Sequence, residues 1–112
     1  GFVAEKDEKI WRRELNRLRL SVEQLNQLDW ESAVAMVHFP PRGQEGSSEM
    51  SELIESLGVT WCVYGHLHGA DAHANAFEGE AGGVHYMCVS ADYVDFFPRL
   101  ICQIDLTQVS VE

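Results

Sequence analysis

Three histidines stand where apolar runs break off. His66 and His68 flank Leu67 in Trp61-Cys62-Val63-Tyr64-Gly65-His66-Leu67-His68-Gly69, and His38 ends the run Ala33-Val34-Ala35-Met36-Val37-His38. Imidazoles that converge can hold a borderline divalent metal such as zinc, iron or manganese. Side chains at i and i+2 of an extended segment point to the same side. His66 and His68 are therefore expected to reach one site, with His38 approaching from an adjacent strand. A lone histidine or a bare His-x-His is a weak signal. Gly-His-Leu-His-Gly after an apolar run, with another strand-end histidine one unit upstream, is a stronger one.

The elements around the histidines read as a βαβ unit. The run Ala33 to His38 shows no alternation and is expected to be an interior strand covered on both faces. Phe39-Pro40-Pro41 stops it, because proline cannot continue a central strand. Residues 42–48 form a loop. Met50, Leu53, Ile54 and Leu57 then lay down one helical face, with Ser48 as N-cap and Gly58 as stop. The strand Val59 to Tyr64 and the Gly65–Gly69 loop follow. Strand, helix and strand with short links imply a parallel pair whose two ends, and hence His38 and His66, share one sheet edge.

Flanking segments complete a mixed α/β fold. Residues 7–28 spell a long helix, with Trp11, Leu15, Leu18, Val22 and Leu25 on one stripe and a charged, solvated opposite face. Asp7 and Glu8 suit its positive end. Ala70 to Asn75 reads as a small, polar connection. Ala76 to Glu80 reads as a short strand, Ala81-Gly82-Gly83 as a hairpin turn, and Val84 to Ser90 as a strand. Asp92 to Pro98 is an aromatic connection and Leu100 to Leu106 a closing strand. His73 and His85 read as ordinary residues, His73 near enough to the site to contact substrate, and Asp92 and Asp95 read as turn residues rather than catalytic acids. Arg42 reads as a solvated loop residue, and Trp30 and Trp61 as packing residues.

The whole chain sets limits on function. It has 112 residues, room for one domain or part of one, and a net charge of −10. That charge argues against non-specific binding to nucleic acid or an anionic membrane, and no stretch is long and apolar enough to span one. An acidic protein acting on phosphates needs positive charge from elsewhere, and a bound cation supplies it. Cys62, Cys88 and Cys102 are odd in number, lie in apolar stretches and form no close pair. Reduced, buried thiols and a cytoplasmic location are expected. The N-terminal stretch has neither a signal-peptide nor a transit-peptide pattern and does not open on methionine, so the chain is expected to be a piece of something longer or a processed product.

Val37-His38-Phe39-Pro40-Pro41, a helix, and then Val63-Tyr64-Gly65-His66-Leu67-His68-Gly69 resemble the C-terminal half of a calcineurin-like metallophosphoesterase, most of all the bacterial predicted phosphohydrolases of that superfamily. Phe77-Glu78-Gly79-Glu80, Val89-Ser90-Ala91-Asp92-Tyr93 and Pro98-Arg99-Leu100-Ile101 resemble the same branch, so the likeness covers nearly the whole chain. The resemblance implies a two-sheet sandwich flanked by helices, of which residues 1–112 would be the C-terminal portion. It implies two adjacent divalent metals (manganese, iron or zinc) and hydrolysis of phosphate mono- or diesters. By the same resemblance His38 and His66 would bind the second metal and His68 the first.

The first half of that family carries Asp-x-His, Gly-Asp and Gly-Asn-His elements, and none precedes Val37-His38 in this sequence. Three histidines without a bridging carboxylate leave the repulsion between two dications uncompensated. The partners expected are therefore a phosphate-ester substrate and a missing N-terminal half of the same domain. Two alternatives stay open: a non-catalytic module binding a single metal, and a fragment that complements a separate N-terminal half.

Overall fold

A computed structural model describes residues 7–27 and 33–103. Helix α1, Glu8–Leu25, forms where the apolar stripe lies, and its Trp11 and Leu15 are buried. It ends at Leu25; Leu28, the last residue of the expected helix, lies outside the described residues. Strand β1, Val34–Val37, leads through the loop of residues 38–48 into helix α2, Glu49–Ser56. Ser48 caps α2 reciprocally: its side chain accepts from the Ser51 amide, while the Ser51 hydroxyl accepts from the Ser48 amide. Strand β2, Trp61–Tyr64, follows, then a short helix α3, Ala70–Ala74, where the sequence suggested only a connection.

Strands β3, Gly79–Ala81, and β4, Val84–Cys88, make an antiparallel hairpin. Its two-residue turn is Gly82-Gly83, both with positive φ (58° and 82°), as a hairpin turn matched to strand twist requires. The four strands form one mixed sheet in the order β1-β2-β4-β3. β1 pairs in parallel with β2, and β2 in parallel with β4. The fold is thus mixed α/β, with a parallel three-strand core, an antiparallel edge and an N-terminal helix.

Alternation splits the sheet into two unlike faces. Cys62, Tyr64, Val84, Tyr86 and Cys88 join Trp11 and Leu15 of α1 and Met50 and Ile54 of α2 in one buried cluster. Tyr64 is held there by its hydroxyl, which donates to the Phe77 carbonyl at 2.7 Å. On the opposite face, Val34 and Met36 of β1 stand 40% and 78% exposed. This corrects the expectation of an interior strand. Among the described residues β1 is an edge strand, and the lack of alternation in its sequence reflects apolar side chains of β1 that those residues leave open, whereas Val63 and Met87 on the same face are buried.

The closing strand expected at Leu100 to Leu106 is also corrected in part. Leu100 to Gln103 has no strand structure, and residues 104–106 lie outside the described residues. No helix among the described residues is long and apolar enough to cross a membrane.

Candidate metal site

Register decides which residues can meet. Val37 lies opposite Tyr64, and Tyr64 opposite Cys88. Three parallel strands therefore end at one sheet edge, and the segments leaving them are His38-Phe39, Gly65 to Gly69, and Val89 to Asp92. Backbone bonds continue the ladder past the strands: the Gly65 amide donates to the His38 carbonyl at 3.1 Å, and the Val89 amide to the Tyr64 carbonyl at 2.8 Å.

His38 and His66 come together as expected. His38 Nε2 and His66 Nδ1 are 3.2 Å apart, with their rings 5.1 Å apart between centroids and nearly perpendicular. Buried Phe39 forms an aromatic floor, its ring centroid 4.8 Å from that of His38 and 4.7 Å from that of His66. The His38 amide donates to the Glu14 carboxylate of α1 at 2.6 Å, which ties the helix to the site. Asp7, just before α1, has Oδ2 4.0 Å from His66 Nε2, beyond hydrogen-bond range.

His66 has a backbone that few residues adopt. Its φ is 68°, and the Leu67 amide donates to the Gly65 carbonyl at 2.8 Å. That i to i+2 bond across a positive-φ residue is a strained γ-turn. Burial pushes the His66 imidazole below its ordinary pKa, and the neighbouring His38 charge pushes it further the same way, outweighing the acidic side chains of Asp7 and Glu14.

The γ-turn also breaks the extended geometry that would have aimed His66 and His68 alike. His68 Nδ1 instead lies 2.7 Å from Asp92 Oδ1. The other oxygen of that carboxylate accepts from the Gly69 amide at 2.9 Å. These two bonds, the one to His68 first, hold the Asp92 carboxyl well below the usual carboxylate range. His73 Nε2 comes within 3.3 Å of Asp92 Oδ2, yet this buried atom is off the line of a hydrogen bond and has no hydrogen-bond partner among the described residues.

The three histidines thus do not converge on one point. His38 and His66 form a pair, and His68 belongs to a second cluster with Asp92 and His73. Among the described residues no three His, Cys, Asp or Glu side chains are grouped to hold one metal ion. The pair nonetheless fits the bite of one ion: two nitrogens each about 2.1 Å from a tetrahedral zinc lie about 3.4 Å apart, against the 3.2 Å seen here. Asp7 is no third ligand to that ion, because it faces the other nitrogen of His66.

Asp92 is thus more than the turn residue its sequence context suggests, and Asp7 and Glu14 lie beside a site to which no motif assigns them. The usable signal for Asp92 was its place four residues beyond the end of a strand that, if parallel to β2, must finish at the histidine edge. Letters alone mislead at Asp71-Ala72-His73, which spells Asp-x-His but lies on α3 after the loop, with Asp71 exposed.

Comparison with protein families, with curated proteins and with solved structures finds no match for this chain.

Proposed function

We propose that the chain supplies the histidine side of the metal centre of a calcineurin-like metallophosphoesterase, an enzyme that hydrolyses phosphate mono- or diesters. The observation that carries this reading is the His38–His66 pair, 3.2 Å apart at the ends of adjacent parallel strands. His38 Nε2 and His66 Nδ1 would hold one ion, and His68 Nε2, the ring nitrogen turned away from Asp92, would face the other. Bound divalent ions would clamp a phosphoryl group and lower the pKa of a coordinated water. His38 and His66 are set on a buried aromatic floor, so their rings are oriented before any ion arrives. Their positive-ion cargo also offsets the net charge of −10, which would otherwise repel a phosphate ester.

Two adjacent dications need a carboxylate between them, and Asp7 and Asp92 sit behind their histidines rather than between them. The remaining ligands would come from an N-terminal half with Asp-x-His, Gly-Asp and Gly-Asn-His elements. The open sheet face of Val34 and Met36 is what the second sheet of a sandwich would cover. A single-metal, non-catalytic module is the second reading. It is favoured by the fact that only two imidazoles meet.

Cobalt titration followed by visible absorbance tests the pair. The 112-residue chain is expected to bind one ion weakly, and either His38→Ala or His66→Ala abolishes that binding. Adding an N-terminal half in trans should bring the count to two and restore hydrolysis of a chromogenic phosphodiester, lost again in His66→Ala. Tight binding of two ions by the chain alone would sink the assignment of the missing ligands. Two ions bound by the complemented protein without hydrolysis would leave only the binding-module reading.

A further inference from the structure

Asp92 bonds to the ring of the loop's second histidine and to the backbone just after it. One carboxylate oxygen lies 2.7 Å from His68 Nδ1 and the other accepts from the amide of Gly69, the next residue. The turn that carries Asp92 is itself anchored. Ser90 is buried, and its carbonyl accepts from the amides of Tyr93 and Val94 at 2.9 and 3.2 Å. The Phe96 amide closes the turn onto the Ala91 carbonyl at 2.8 Å. His68 by contrast has a side chain 66% exposed, and among the described residues its one hydrogen-bonding partner is Asp92. Whatever orients that imidazole is therefore the Asp92 carboxylate.

A carboxylate accepts and cannot donate, so it holds a neutral imidazole as the tautomer protonated at Nδ1. Nε2 is then left as a lone pair pointing away from Asp92. A carboxylate behind a histidine in this way fixes the ring and raises its basicity as a metal ligand. We infer that Asp92 is a positioning residue that sets the tautomer and direction of His68 so that Nε2 is presented to a divalent metal. The inference rests on the proposed function for the identity of the ligand, and on the geometry alone for the tautomer.

Asp92→Asn separates positioning from mere fastening of the loop. The asparagine oxygen can still accept from the Gly69 amide, and its NH2 then donates to His68 Nδ1. The loop stays tied while the imidazole proton is forced onto Nε2, where it blocks metal. The experiment is long-range proton–nitrogen correlation NMR on the labelled 112-residue chain at a pH of about 8.5, where a histidine of ordinary pKa is neutral, first alone for the tautomer and then with the N-terminal half added in trans and zinc titrated in for the second ion.

In the native chain His68 is expected to have its proton on Nδ1, and zinc to shift Nε2. In Asp92→Asn the proton should move to Nε2, the Gly69 amide should keep its protection from exchange, and half-saturation of the His68 response should need about 10–100-fold more zinc. His73→Gln should leave the His68 tautomer unchanged. A native His68 protonated on Nε2 overturns the inference. So does zinc acting equally on His68 in both proteins; if His38 and His66 respond to zinc in that case, the proposed function stands without Asp92. Zinc that perturbs none of the three histidines overturns the proposed function, and with it the metal-directing role of Asp92.

Discussion

Replacing His66 by glycine and by alanine should reverse the usual order of stability. At an ordinary position inside regular structure, glycine is less stable than alanine by about 0.5–1 kcal/mol, because the unfolded chain is freer. His66 is not such a position: its φ is 68° and it sits at the centre of an i to i+2 turn. A non-glycine residue held there costs roughly 1–3 kcal/mol, from which glycine is spared. The imidazole contacts with His38 and Phe39 vanish in both variants and cancel in the comparison. Strain relief less the entropic loss leaves His66→Gly more stable than His66→Ala by about 1 kcal/mol. Urea unfolding followed by circular dichroism reads this directly. With a slope of about 1–1.5 kcal/mol/M, the two midpoints should differ by roughly 0.7–1 M at equal slope. Equal midpoints, or a higher one for His66→Ala, would refute the strained turn and with it the explanation of why His66 and His68 face different partners. Neither variant should retain cobalt binding at the pair, so the glycine variant would be the more stable of the two at a site where the proposed function requires a strained histidine.

Other measurements bear on the scaffold. Leu15 is fully buried between α1 and the sheet; Leu15→Ala should lower stability by about 2–5 kcal/mol in the same assay, and a loss under ~1 would show that α1 is not docked. Because burial lowers the His66 pKa, the unfolded chain binds a proton below about pH 6.5 that the folded chain still refuses. Stability should therefore fall as pH drops through that value, and His66→Gln should flatten the fall; an equal slope in both proteins would disprove it. Asp92 acts in a separate, acidic window: its depressed carboxyl contributes stability above the unfolded pKa near 3.8, lost as pH falls further, and Asp92→Asn should remove that component from the acid-unfolding curve. Cys62 is buried and its thiol pushed up to about 12 by that burial, and Cys88 is buried too, whereas Cys102 is partly exposed. A thiol reagent should label Cys102 rapidly in the native chain and all three only in denaturant; fast labelling of Cys62 would contradict the core.

What could be read from the sequence was what short-range pattern encodes. The stripe from Trp11 to Leu25, the Ser48 cap, the Gly82-Gly83 turn and the apolar run into Gly65 each map onto an element because neighbouring residues alone determine them. β1 was misread because an apolar run looks the same whether both faces are covered or one is left open, and only the strand order makes Met36 an exposed edge residue. Asp92 was missed for a related reason. The hairpin was legible, but not that β4 would add in parallel to β2, and it is that pairing which brings the segment after Cys88 to the histidine edge. The turn at His66 has no sequence signature at all, since Gly65-His66-Leu67 could equally continue an extended strand.

These missed features change the electrostatic argument more than the fold. The expected lack concerns a bridging carboxylate; Glu14 bonds the His38 backbone, and the two carboxylates that face the rings, Asp7 and Asp92, both lie on the far side of an imidazole from its partner-facing nitrogen. Asp92 meets Nδ1 of His68, and Asp7 faces Nε2 of His66 while Nδ1 meets His38. Carboxylates so placed orient imidazoles and make them better donors, but they cannot screen one dication from another. For the proposed binuclear centre the geometry separates two requirements: ligand orientation can be met by the described residues, while charge compensation between two metals would have to come from a carboxylate inserted between His38–His66 and His68.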